Sequence, residues 1–324
     1  MTRLPAPPAE VALCECWSRD GLQSWSEVVP TDRKIAVLEA AIGAGVRELD
    51  VTSLVPAKYA PQFADAEEVL AAVAERGAGR GVRIRVLAPN LRGVQRAVEL
   101  NEKLGAITTV GFPISASEAH NLANLKRTHA EHLSQIEQMV AAAHAAGLET
   151  VSALATAFGC PITGEVPEET VFDMAGRLID IGVDRIMLSD TTGLADPVRA
   201  GAYTARAVES HPDTGWIAHF HDTRGAGVAN TWAAVLAGAT CVDSCLGGIG
   251  GEPPTVEQNH AGETGNVSTE DVAVLLERAG VRTGIALDRL LAAGLLAEEI
   301  QGAPGRSQVQ RTGTGLIGHE GSTR

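Results

Sequence analysis

The sequence predicts an α/β fold: one (β/α)8 TIM barrel with additional C-terminal helices, spanning residues 1–300. Three observations carry this. Short apolar runs of strand character alternate with longer stretches of helical periodicity along almost the whole chain, and eight such pairs follow one another. The length of 324 residues suits one barrel with some extra segments. No Gly-x-Gly-x-x-Gly follows the first strand, which counts against the competing doubly wound open sheet.

In order, the first strand is expected at 11–17. Thr31 then caps a helix over 31–44 that Gly45 closes, and the second strand lies at 45–51. Asp65 is placed as N-cap of a helix over 65–76. A third strand at 82–88, a helix over 91–104 and a fourth strand at 106–111 follow. A long helix over 129–146 leads to strand five at 149–155, and a helix over 167–181 to strand six at 184–189. The helix over 197–210 precedes strand seven at 216–220; a helix over 224–237 and strand eight at 240–245 complete the set. Stretches 268–278 and 286–299 read as appended helices, and 301–324, rich in Gly, Thr, Ser and Arg, as a mobile tail.

Composition narrows the class of function. A net charge of −14 argues against nucleic acid, which is bound by clustered Lys and Arg. A hydrophobic content of 45% suits a large globular core, and no apolar run approaches the roughly 18–20 residues that span a bilayer. The start, Met1-Thr2-Arg3-Leu4-Pro5, lacks a charged-then-apolar signal pattern, so the expected location is cytoplasmic. Cys14, Cys16, Cys160, Cys241 and Cys245 lack paired Cys-x-x-Cys spacing and read as buried free thiols.

Chemistry in such barrels gathers where strands end. His219 and His221 alternate onto one face of strand seven, about 7 Å apart, and could form half of a metal site; a hydrogen-bonded pair near a turn is the plainer reading. Other strand ends carry Arg19 and Asp20, Asp50 and Ser53, Asn90, Thr156, and Asp190 with Thr191; Ser117, Glu118 and His120 lie beyond strand four. Acids, imidazoles and an arginine around one opening favour a metal-dependent enzyme. Gly247-Gly248-Ile249-Gly250-Gly251, followed by Glu252, permits positive φ and suits a mobile lid or an anion-cradling turn. Ser268 and Asp271 have the spacing of a capping box, and Asn266 just ahead could offer an amide oxygen to a metal.

Several stretches then coincide: Ser18-Arg19-Asp20-Gly21-Leu22-Gln23, Val51-Thr52-Ser53 with Pro61-Gln62, Ala88-Pro89-Asn90-Leu91, and Ser117-Glu118 with His120 and Asn124. Phe158-Gly159-Cys160-Pro161, Ser189-Asp190-Thr191-Thr192-Gly193, His219-Phe220-His221-Asp222-Thr223 and Gly265-Asn266 continue the series. Together they resemble the 3-hydroxy-3-methylglutaryl-CoA lyase family within the DRE-TIM metallolyases. The resemblance implies a divalent metal, Mg²⁺ or Mn²⁺ first and Co²⁺ or Zn²⁺ as further options, held by Asp20, His219, His221 and Asn266. It implies Arg19 as stabiliser of an enolate oxygen. Asp50 and Asp190, with Glu15 nearby, become candidates for proton traffic or for holding the histidines. Gln23, Ser53, Asn124, Arg224, Gly248, Gly250 and Gly251 are the expected substrate contacts.

The chain also departs from that pattern. Glu252 stands where the family carries a cysteine after the glycine loop, and the segment to Asn266 is longer than usual. Asp50 replaces a longer glutamate, Val151 a basic residue, and Arg224 a tyrosine. The expectation is a metal-dependent carbon–carbon lyase acting on a 3-hydroxyacyl-CoA other than 3-hydroxy-3-methylglutaryl-CoA, with Glu252 taking part in proton transfer. The alternatives are an aldolase or Claisen-type condensing enzyme, and a non-catalytic binding protein on the same barrel. Neither a nucleic acid nor a membrane partner is expected; homo-oligomerisation stays open.

Overall fold

The computed structural model describes residues 6–251 and 265–315. Its strands are β1 (Ala12–Glu15), β2 (Glu48–Ser53), β3 (Arg83–Leu87), β4 (Ile107–Ser115), β5 (Glu149–Ala155), β6 (Arg185–Asp190), β7 (Gly215–Phe220) and β8 (Cys241–Ser244). They pair in sequence order and every neighbour is parallel; β8 closes on β1, with Ala12 opposite Cys241. The expected barrel is therefore the observed one.

Helices α1 (Thr31–Ala44), α2 (Ala66–Gly77) and α3 (Leu91–Leu104) link the first four strands. The fourth link holds two helices, α4 (Glu118–Leu125) and α5 (His129–Ala145). Then come α6 (Glu168–Ile181), α7 (Pro197–Ser210) and α8 (Gly227–Leu236). Their apolar faces and the outward side chains of the strands form the main core, where Val37, Leu38, Ile84, Ile136 and Leu178 are buried. No helix among the described residues is long and apolar enough to cross a membrane.

Local chemistry moved several boundaries. β1 stops at Glu15 because that side chain bends back: its Oε1 accepts the Trp17 N–H at 2.8 Å. The chain then coils through a single π-turn, Trp17–Gly21, closed by the Gly21 N–H on the Cys16 carbonyl at 3.1 Å. Such turns are uncommon and recur where function needs an irregular backbone. Thr31 does not cap α1: it lies inside the first turn, and its hydroxyl donates to Asp65 Oδ2 at 2.9 Å. Asp65 does precede α2, but its carboxylate is taken by Thr31 and by Lys34 Nζ at 3.0 Å. β4 runs four residues past its expected end to Ser115, and α4 was not anticipated.

Three further helices follow the barrel: α9 (Thr269–Arg278), α10 (Leu287–Gln301) and α11 (Gln308–Thr312). Ser268 caps α9 by accepting the Asp271 N–H at 3.2 Å, as its spacing predicted. As far as Gly315, the segment expected to be a mobile tail instead packs back on α9. Asp271 accepts Ser307 Oγ at 2.9 Å and the Gln308 and Val309 N–H groups at 3.0 and 2.8 Å.

Side chains from alternate strands fill the barrel in layers. Near the strand starts, Arg185 Nη1 meets Glu48 at 2.7 Å, and Glu149 binds the Arg83 guanidinium. Above them Cys14, Cys16, Val151, Met187, Ile217 and Cys241 form an apolar plug. Val151 belongs to that plug, buried among its apolar neighbours. Arg85 of β3 touches this layer from inside the barrel, its Nη2 lying 3.6 Å from Cys16 Sγ.

Candidate metal and active site

The C-terminal ends of β1, β2, β7 and β8 converge above this plug. The π-turn lifts Arg19 and Asp20 over the mouth, and its tightness places Gly21 where a Cβ would fall 2.8 Å from Cys245 Sγ. His219 is the last but one residue of β7 and faces inward, and His221 follows one pleat later, just past the strand. Residues 265–267 then pair with this strand end. The Asp222 N–H binds the Gly265 carbonyl at 2.7 Å, and His221 bridges Asn266, which is how a residue remote in sequence reaches the histidines.

Asp20, His219 and His221 each offer a ligand atom within 4.8 Å of the others, and all three are buried. The two Nε2 atoms face one another at 3.1 Å, and His221 Nε2 lies 3.8 Å from Asp20 Oδ2. Asn266 Nδ2 donates to Asp20 Oδ2 at 2.7 Å and to the Ile249 carbonyl at 3.0 Å. Asn266 Oδ1 is buried with no hydrogen-bond partner, as is Nδ1 of each histidine. Two imidazoles converging on one point, a carboxylate and an orphaned amide oxygen fit a divalent cation, because orphaned buried acceptors are costly without one. Burial alone would raise the Asp20 pKa, but the Arg19 charge and the two histidines hold it well below the usual carboxylate range.

Arg19 is held on both sides. Its Nη1 donates to Asp20 Oδ1 at 2.5 Å, and its Nε and Nη2 reach Asp50 Oδ2 at 2.6 Å each. Asp50 Oδ1 has no partner. Gln23 Nε2 donates to Asp20 Oδ1 at 2.8 Å and to the Gly251 carbonyl at 3.0 Å, tying the glycine loop to the ligand cluster. Gly250 is required in that loop: its φ is 110°, and a Cβ would fall 2.5 Å from Asn266 Nδ2. Gly248 closes the preceding turn through its N–H on the Cys245 carbonyl at 2.9 Å.

Other expected site residues have different partners. Asp190 is a loop staple: Oδ1 accepts the Leu194 N–H at 2.7 Å and Oδ2 the Ala195 N–H at 3.1 Å, while burial raises its pKa. Ser53, buried at the end of β2, accepts the Val55 N–H at 3.3 Å. Asn124 is half-buried on α4 and is not drawn into the cluster's hydrogen bonds. Arg224 is exposed at the rim, where Nη1 clasps the carbonyls of Thr192 and Gly193 at 2.8 and 3.0 Å. Glu252 lies outside the described residues. Glu15 does not support the histidines; besides Trp17 it accepts the Leu246 N–H at 2.9 Å and the Thr269 hydroxyl at 2.5 Å.

Two charged residues under the site were not singled out in the sequence. Asp243 of β8 places Oδ2 3.5 Å from His219 Nδ1 and 2.5 Å from Arg85 Nη2. Burial works to raise the pKa of Asp243, and Arg85 overcomes it to keep the carboxylate far below its normal range. Their signal was a charge inside a strand covered on both faces, where apolar residues are the rule. Asp243 also gathers with Cys14 and Cys16. Burial pushes both thiols up, and Arg85 already neutralises the carboxylate, so that group lacks the thiolates a metal would need.

A model of the family described as HMGL-like matches residues 10–296. The chain is 33% identical over 297 residues to hydroxymethylglutaryl-CoA lyase YngG of Bacillus subtilis, covering 92% of this chain and 95% of that one. It is also 33% identical over 310 residues to (R)-citramalyl-CoA lyase of Chloroflexus aurantiacus, covering 94% and 95%. A solved HMG-CoA lyase of Acinetobacter baumannii, in complex with coenzyme A and 3-methylmalate, superposes with a TM-score of 0.86 at 32% identity, covering 98% and 99%.

Proposed function

This chain belongs to the HMGL-like family of the DRE-TIM metallolyases, and we propose that it is a lyase cleaving the carbon–carbon bond of a 3-hydroxyacyl-CoA other than 3-hydroxy-3-methylglutaryl-CoA. The observation that carries the reading is the buried Asp20–His219–His221 cluster with Arg19 fixed beside it. Relatives named for two different acyl-CoA substrates stand at the same 33% identity, so kinship supports the thioester class and leaves the acyl group to the pocket.

A cation held by Asp20, His219, His221 and Asn266 would act as a Lewis acid on the substrate's 3-hydroxyl and a neighbouring oxygen. The rest falls to side chains. The hydroxyl proton must leave as the C2–C3 bond breaks, and Asp50 Oδ1, buried without a partner, is an open acceptor for it. The bond's electron pair moves into the thioester as an enolate, whose oxygen Arg19 stabilises; two carboxylates already hold that guanidinium in place, so little reorganisation is needed. Proton delivery to C2 completes the acyl-CoA, and Glu252, which follows the glycine loop in the sequence, is the proposed donor. Arg224, exposed at the rim, supplies positive charge for a substrate carboxylate.

The test is a panel of 3-hydroxyacyl-CoAs incubated with Mg²⁺ or Mn²⁺, following release of acetyl-CoA or another acyl-CoA. Cleavage of one member faster than 3-hydroxy-3-methylglutaryl-CoA is expected. A preference for 3-hydroxy-3-methylglutaryl-CoA would defeat the substrate part, and cleavage of none by metal-loaded protein would defeat the lyase part.

A further inference from the structure

Arg85 is 2% exposed, deep on β3, beneath a site whose expected ligands it does not touch. A guanidinium removed from water is costly unless opposite charge meets it. Here one nitrogen, Nη2, donates to Asp243 Oδ2 at 2.5 Å and lies 3.4 Å from Asp50 Oδ2. Those two carboxylates are the footings of the two halves of the site. Asp50 Oδ2 receives Nε and Nη2 of Arg19, and Asp243 Oδ2 stands 3.5 Å from His219 Nδ1, which is hydrogen-bonded to no other group. Without Arg85 the barrel would hold two like charges near one cation's vacated place; Asp50 would keep its hold on Arg19, and Asp243 would lose the cation that pins it.

We infer that Arg85 is a positioning residue that couples the metal site to Arg19. By pinning Asp243 it sets the His219 ring so that Nε2 points at the place where His221 Nε2 also points. By sharing Asp50 Oδ2 it fixes how far Arg19 leans over the mouth. A carboxylate behind a ligating histidine orients the ring and raises its basicity, and removing such support commonly weakens metal binding about 10–100-fold. The inference rests on reading Asp20, His219, His221 and Asn266 as ligands.

The experiment titrates Mn²⁺ into chelator-treated full-length protein, counting free Mn²⁺ by electron paramagnetic resonance, with thermal unfolding recorded alongside. Arg85→Met should bind Mn²⁺ roughly 10–100-fold more weakly than wild type while unfolding cooperatively. Arg85→Lys keeps the charge without the fork and should fall between. Adding Arg85→Met to Asp243→Asn should weaken binding by less than the sum of the two single effects, because both act on His219 through Asp243. With a substrate in hand, Arg85→Met should lower kcat more than it raises KM. Wild-type Mn²⁺ affinity in folded Arg85→Met, or in Arg85→Lys if the first variant does not fold, would overturn the inference. Wild-type protein that binds Mn²⁺ yet cleaves no thioester defeats the proposed function and leaves this inference standing; wild-type protein that binds no Mn²⁺ defeats the inference itself.

Discussion

Replacing Glu15 by Gln should make the protein's stability less sensitive to alkaline pH. Glu15 is buried where β1 gives way to the π-turn, and burial raises its pKa from 4.5 to about 8 despite hydrogen bonds from Thr269, Leu246 and Trp17. The native chain therefore keeps a proton that the unfolded chain releases. That contribution is complete below pH about 4.5, drains as pH rises, and is gone above about 8. At about 1.4 kcal/mol per pH unit, the span sets a ceiling on the order of 5 kcal/mol. Glutamine reproduces the neutral acid: its oxygen can accept Trp17 and Leu246, and its amide can donate to Thr269, whose hydroxyl also reaches Ser244 Oγ at 2.9 Å. Urea unfolding at pH 5 and pH 8.5 is the assay. Glu270, raised by burial to about 7, drains with the same sign in both proteins, so the difference between them reads Glu15 together with its charge interaction with Glu270. The variant should gain on wild type by about 2–4 kcal/mol between the two pH values. Parallel losses would mean that Glu15 is ionised in the folded chain and that the desolvation argument fails.

His219→Ala should abolish Mn²⁺ binding and turnover while the barrel still unfolds cooperatively, because the residue sits at a strand end rather than in the core; retained Mn²⁺ affinity would remove it from the ligand set. Arg19→Met should lower kcat by about 10²–10³ with little change in KM, as expected for a donor used mainly in the transition state. A KM effect alone would make Arg19 a substrate anchor. Arg224→Met should do the reverse, raising KM for a substrate bearing a free carboxylate and sparing one without it; equal effects on both would confine it to clasping Thr192 and Gly193. Glu252→Gln should erase one limb of the pH–rate profile and leave Mn²⁺ affinity unchanged; a full rate with both limbs intact would leave the residue no part in proton transfer.

What could be read in advance divides along physical lines. The alternation of apolar runs marks a strand or a helix wherever it lies, so the barrel order was legible, as was His219-Phe220-His221, whose shared face follows from strand period alone. Interactions that bend the chain back on itself leave no such periodic trace. Nothing in 11–17 shows Glu15 capturing the Trp17 N–H, so a straight strand was expected where a π-turn forms, and that turn is what brings Asp20 over the histidines. Asp190 shares the limitation: as a strand-end acid it resembled a proton carrier, yet two backbone N–H groups of its own loop occupy it. Arg85 and Asp243 were invisible for a third reason. A charge within an apolar strand is uninterpretable until its partner is known, and these partners lie 158 residues apart across a closed barrel. Their pairing shows why the barrel interior cannot be dismissed as packing. Arg19 and His219 stand on a floor in which one cation faces two carboxylates, so Arg85→Met, well below the mouth, is expected to disturb the metal site and the arginine together.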